Sequence, residues 1–198
     1  MRLHRAGSYT LPALVAGLLV CAPGHAAPGQ LEFRSERIDI TIHGDRCTII
    51  GDYHLVSDGD SGGRMLYYPF AIGPGLPYPD SVAVTDLATG LPISYAGNAE
   101  GIRFPARIAG SDSFDFRVTY VQRTPRSMLR YILTTTQRWG RPLRSADFLI
   151  HIPRSLELTH ISIAPDSVEH AAAWRIHRIH RSQFMPVCDL DIVWKEVE

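Results

Sequence analysis

The sequence predicts an all-β fold, an antiparallel β-sandwich of about a dozen short strands in a single domain. Three observations predict it. Apolar residues recur at every second position through most of the chain, the period of a half-buried strand. Turn-forming Gly, Pro, Asn and Asp punctuate these runs at short intervals. Only one stretch, 166–173, offers a helical turn, with Asp166 or Ser167 as cap, and it is too short to stand alone.

The strands follow in order. Ile38, Ile40 and Ile42 alternate with Asp39 and Thr41, Gly44-Asp45 makes a tight turn, and Cys47 to Val56 returns. Leu66, Tyr68 and Phe70 alternate with Met65 and Tyr67, and the proline- and glycine-rich 73–80 (GPGLPYPD) is a loop. Further strands are expected at Val82–Asp86, Ile93–Tyr95, Ile102–Arg107 and Phe114–Gln122. The second half repeats the style at Arg130–Thr136, Asp147–Ile152, Glu157–Ile163, Trp174–Ile179 and Leu190–Val197.

Residues 1–26 read as a cleaved signal peptide: Arg2, His4 and Arg5 form a basic start, Leu11–Val20 an apolar run, and Gly24 and Ala26 the small residues before the cut. Ten apolar residues are too few for a membrane-spanning helix, which needs about 20. Lipidation at Cys21 is the disfavoured alternative, because Val20 stands where a small residue is usual. The expected product, 27–198, is a periplasmic or extracellular β-sandwich without a transmembrane helix. Its 18 basic and 20 acidic residues argue against a nucleic-acid partner. Lys195 is the only lysine against nineteen arginines, a bias expected of GC-rich codons in a bacterium. Two cysteines remain, Cys47 and Cys188, and an even count in an exported chain predicts a disulfide. Closing so long a loop is worth roughly 4–5 kcal/mol in the chain-entropy picture.

No catalytic residue, metal site or cofactor is assigned. Gly59-Asp60-Ser61-Gly62-Gly63 matches the string around a serine-protease nucleophile, yet too little chain precedes it to carry the histidine and aspartate, so it reads as a hairpin loop. Asp58 and Asp60 suggest a calcium loop, but Pro69 stands where an EF-hand needs an acid. His170, His177 and His180 cluster in sequence; on a strand, His177 and His180 point to opposite faces. The best binding feature is an aromatic patch of Tyr67, Tyr68 and Tyr78 with Trp139 and Arg141, able to stack on a sugar or make cation–π contacts.

The run Ile38–Ile42, Gly51-Asp52-Tyr53, Tyr68-Pro69-Phe70 and Ser81-Val82-Ala83-Val84 resembles a VIT-type sandwich. Tyr131-Ile132-Leu133-Thr134-Thr135-Thr136 with Trp139-Gly140 resembles an exported bacterial family of unknown function. These resemblances imply an immunoglobulin-like or VIT-like sandwich used for interaction, with no assigned chemistry. The expected function is therefore a non-enzymatic binding or envelope-interaction module, its partner an envelope protein or a glycan. The alternatives are an extracellular or periplasmic hydrolase and a carbohydrate-binding module.

Overall fold

The alternation at Ile38, Ile40 and Ile42 belongs to a longer strand, β1 (Leu31–Ile42), which the Gly44 turn joins to β2 (Arg46–Ser57). Gly44 holds φ near +75°, a conformation that favours glycine, and the His43 N–H donates to the Arg46 carbonyl at 2.8 Å to close the turn. A computed structural model describes residues 31–57, 63–108 and 113–197. The remaining strands are β3 (Gly63–Pro69), β4 (Ser81–Asp86), β5 (Ala96–Gly97), β6 (Gly101–Arg107), β7 (Ser113–Arg123), β8 (Met128–Tyr131), β9 (Leu143–Pro153), β10 (Leu156–Ile161), β11 (Ser167–His170), β12 (Trp174–Phe184) and β13 (Leu190–Glu196).

Seven strands form one large sheet in the order β11-β12-β9-β1-β2-β7-β4, and two three-stranded sheets, β10-β13-β8 and β3-β6-β5, make the second layer. The expected all-β sandwich is present, with one difference in strand sense. β1 and β9 pair parallel, while the other pairs are antiparallel. The parallel pair arises because the chain leaves the large sheet for β8 in the covering layer, and re-enters beside β1 by a crossover rather than a hairpin.

A single core lies between the layers. Ile38, Ile40, Ile49, Val118, Phe148 and Ile150 face it from the large sheet; Ile102 and Phe104 face it from one small sheet, and Leu129, Leu190 and Ile192 from the other. Several strands run longer than expected: β1 and β2 have 12 residues each, and β7, β9 and β12 have 11. Burial alternates along β2, β7 and β9, so each of these buries a full apolar edge. At roughly 25 cal/mol per Å² of buried apolar surface, this interlayer core is the main source of stability.

A β-bulge between Phe33 and Ser35 decides what β1 presents to the core. Leu31 and Phe33 face inward at odd positions, and after the bulge Glu36, Ile38, Ile40 and Ile42 face inward at even ones. One extra residue inverts the parity of a strand. It therefore puts Leu31 and Phe33 on the same inner face as the Glu36 carboxyl.

Four expectations change. The stretch around Thr134–Thr136 is not a strand continuing from Arg130: β8 ends at Tyr131, and Thr134–Trp139 is a 3-10 helix. The Asp189 carboxylate accepts from the Leu133 and Thr134 N–H groups, both at 3.0 Å, and from the Thr134 hydroxyl at 2.9 Å, so a tertiary contact overrides β-propensity. The stretch expected to make a helical turn, 166–173, is instead the edge strand β11, paired with β12. Ile93–Tyr95 is not a strand; the pairing there is a bridge from Thr85 to Pro92 and the two-residue β5. Finally, the Cys47–Cys188 bridge is not formed. Both thiols are free, because β2 points Cys47 into the core, against the Thr124 hydroxyl at 3.9 Å, whereas Cys188 is exposed before β13.

The 73–80 loop is held from below. Gln122, fully buried on β7, donates to the Ala71 carbonyl at 2.9 Å and the Pro77 carbonyl at 2.7 Å. Residues 1–30 and 58–62 lie outside the described residues, and with them the expected leader, Cys21, Asp58, Asp60 and Ser61.

Candidate functional site

A cavity of ≈ 480 Å³ opens at the seam between the two small sheets, above β1, β2 and β7 of the large one. One wall comes from β3, with Arg64, Leu66, Tyr67 and Tyr68. The facing wall comes from Tyr131 and the 3-10 helix, with Thr135, Thr136, Arg138 and Trp139. The floor comes from Phe33, Glu36, Tyr53, Phe116 and Tyr120. Its size and mixed aromatic and polar lining suit a small organic ligand.

Aromatic contacts build the floor. Trp139 packs on Phe33 at 5.9 Å between ring centroids, Phe33 meets Tyr53 at 6.0 Å, and Tyr53 stacks on Phe116 at 4.9 Å. Tyr53 reaches this position because residue 51 is glycine. A Cβ there would stand 2.2 Å from the Tyr53 hydroxyl oxygen, so the ring lies along its own strand over Gly51.

The Tyr53 hydroxyl joins the three sheets. It bonds the Tyr68 hydroxyl of one small sheet at 2.8 Å and the Tyr131 hydroxyl of the other at 2.7 Å. Glu36 lies beside this row, where Tyr131 is the neighbour that favours its ionised form. Burial pushes the Tyr53, Tyr68, Tyr120 and Tyr131 hydroxyls well above the ordinary tyrosine range, so all four are neutral at physiological pH.

Glu36 is the anomaly. Its residue exposure is 5%, and burial pushes its carboxyl up to about 8, Tyr131 offsetting only part of that rise. Its Oε1 is buried without a hydrogen-bond partner among the described residues. Neutral near pH 7, the carboxyl can donate one hydrogen bond and accept others; ionised, it would call for a cation.

The expected aromatic patch divides. Tyr67, Tyr68 and Trp139 line the cavity. Tyr78 does not: its ring packs edge-on to Phe70 at 5.4 Å, and its hydroxyl donates to the Gly101 carbonyl at 3.3 Å. Arg141 is exposed and stands 3.8 Å from Glu32, away from the lining. The Arg103 guanidinium lies over the outer Tyr67 ring at 5.6 Å, a cation–π contact.

Glu36, Tyr53, Phe116, Tyr120 and Tyr131 escaped the sequence reading. A signal existed for Glu36, which shares the even parity of Ile38, Ile40 and Ile42 and is the one acid on that apolar series. Tyr53 likewise shares the parity of Cys47, Ile49 and Leu55.

The histidines fall elsewhere. His177 is buried on β12, where burial lowers its pKa, while His180 is exposed and its Nδ1 lies 2.7 Å from Asp147. His180 belongs to the outer face of the large sheet, with the His54–Asp115 contact at 2.5 Å and the paired Arg117–Asp52 hydrogen bonds at 2.6 and 2.8 Å.

No protein-family model matches the chain, and no curated protein matches it. Solved structures do. One is a protein from Legionella pneumophila described as nutrient binding, at TM-score 0.63 and 12% identity over 85% of this chain and 68% of that one. Another is an M1 zinc metallopeptidase from Deinococcus radiodurans, at TM-score 0.50 and 10% identity over 83% of this chain. The chain spans only 42% of that metallopeptidase. At these identities the likeness is one of fold.

Proposed function

We propose that this chain is an exported bacterial binding protein that holds a small organic ligand in the cavity between its layers. The observation that carries the reading is the buried Glu36 carboxyl, with an unpartnered oxygen, in the floor of an aromatic-walled cavity. Polar atoms buried without partners cost stability, on the order of 1–3 kcal/mol, and they persist where a bound molecule repays the cost.

The lining supports binding over hydrolysis. Among the described residues it holds one carboxyl and no serine, cysteine or histidine. Glycoside hydrolysis ordinarily needs two carboxyl groups, and acyl transfer needs a nucleophile beside a base. A flat sugar-binding platform is the weaker form of the same reading, because Tyr78 and Trp139, two aromatics expected to form it, lie apart. Export rests on the basic start and apolar run of residues 2–20.

The test is a small-molecule screen by thermal shift and tryptophan fluorescence, Trp139 lying in the cavity wall. A T135W variant that fills the cavity serves as control. Saturable ligands lost in T135W support the reading. Ligands that bind both proteins equally, or none at all, would overturn it.

A further inference from the structure

The cavity's polar groups are unevenly matched. Four tyrosine hydroxyls can donate and accept among themselves, and three of them do so in the row Tyr68–Tyr53–Tyr131. Beside that row lies Glu36, whose Oε1 has no hydrogen-bond partner among the described residues. Arg138 lines the same cavity, yet it forms no ion pair with Glu36. An acid thus sits in an aromatic enclosure with one oxygen free to meet a ligand.

We propose that the ligand is an organic ammonium ion, its nitrogen set against the Glu36 carboxylate and its apolar groups against the Tyr53, Phe116 and Tyr120 rings. This rests on the cavity being a ligand site. Aromatic faces attract a cation through their quadrupole, and a single carboxylate in a dry enclosure supplies the neutralising charge. An anionic or neutral ligand would meet the neutral carboxyl and form no ion pair with it. Arg138 in the lining disfavours a second cationic group and tolerates a neutral or anionic far end.

The groups facing Glu36 make the proposal measurable. In the cavity they are Tyr53 from β2, Tyr68 and Arg64 from β3, Tyr120 from β7, Tyr131 from β8 and Arg138 from the 3-10 helix; on its other side Glu36 borders a groove with Arg37, Asp52, His54, Asp115 and Asp147. The tyrosines stay neutral and the arginines stay charged at neutral pH. His54, next to Tyr53 in β2, points to the opposite face and meets Asp115 there. Glu36 is then the cavity group that titrates between pH 6 and 9. Seating a permanent cation breaks the carboxyl O–H bond and releases the proton to water, leaving the carboxylate to pair with the cation.

The experiment is calorimetry with phenyltrimethylammonium and its uncharged isostere tert-butylbenzene, from pH 6 to 9, on the native protein and on E36Q. The cation should bind about tenfold more tightly for each pH unit up to about 8 and then level off, with one proton released per cation bound at low pH. The isostere should show no slope. E36Q should lose the cation's slope and its advantage while keeping whatever affinity the isostere has. Cation binding without a pH slope, or a preference for the isostere, would overturn the ammonium assignment and leave the cavity a ligand site. If neither probe binds and T135W also matches the native protein throughout the wider screen, the ligand-site reading fails with it. The native pH series decides the matter even if E36Q does not fold.

Discussion

Glu36 and Tyr53 stand directly opposite each other across β1 and β2, and the two side chains meet the covering layer through the same residue, Tyr131. The pairing joins a carboxyl on one strand to the hydroxyl that ties the large sheet to both small ones. Site and architecture therefore share one hydrogen-bonded row.

Removing the Tyr53 hydroxyl should be felt in stability. Y53F deletes both inter-sheet bonds while keeping the ring on Phe116, and leaves the Tyr68 and Tyr131 hydroxyls each short of one partner. The expected loss is about 1–3 kcal/mol. Urea unfolding checks it, with an unchanged m-value expected because the fold is kept.

Stability should also depend on pH in a direction set by Glu36. Its folded carboxyl is raised from 4.5 to about 8, so between those values the folded state holds a proton that the unfolded state has lost. Stability is then fullest below pH 4.5 and declines as pH rises toward 8, by up to a few kcal/mol. E36Q should flatten this decline. His177 acts oppositely: its folded pKa is lowered from 6.5, so its contribution is present above that value and lost as pH falls below it. Thermal unfolding from pH 4 to 9 in the native protein, E36Q and H177Q separates the two limbs.

Asp189 should control the cavity wall from a distance. Its carboxylate caps the 3-10 helix that carries Thr135, Thr136 and Trp139 into the lining. D189A should cost about 1–2 kcal/mol, the scale of a lost N-terminal cap. D189N keeps an acceptor oxygen and should cost less. The Trp139 emission maximum should move to longer wavelength in D189A as the indole loses its packing on Phe33.

The two thiols should behave as different chemical species. Cys188 is exposed, whereas Cys47 is fully buried and burial pushes its thiol up to about 12. Alkylation of the folded protein without reductant should label Cys188, and Cys47 only after unfolding. Mass spectrometry reads the count. No label on either cysteine in the unreduced, unfolded protein would restore the bridge expected from the sequence.

Much of the architecture was legible because strand patterning is local. Alternation from Ile38 to Ile42, from Cys47 to Val56 and from Phe114 to Gln122 carries the buried and exposed faces of β1, β2 and β7 in the residues themselves. The all-β class, the strand density and the Gly44 turn follow from period and turn chemistry alone. What the pattern could not carry was anything set by a partner distant in sequence. The bulge that turns Leu31 and Phe33 to the same face as Glu36 is defined only against β2, the helix at Thr134–Trp139 depends on Asp189, and Cys47 and Cys188 are separated by burial that neither position announces. The parallel β1–β9 pair and the seam between the small sheets arise from the order in which the chain crosses layers. Local sequence determined which side chains hide from water. Only the tertiary structure decided that a carboxyl and four tyrosines would hide together.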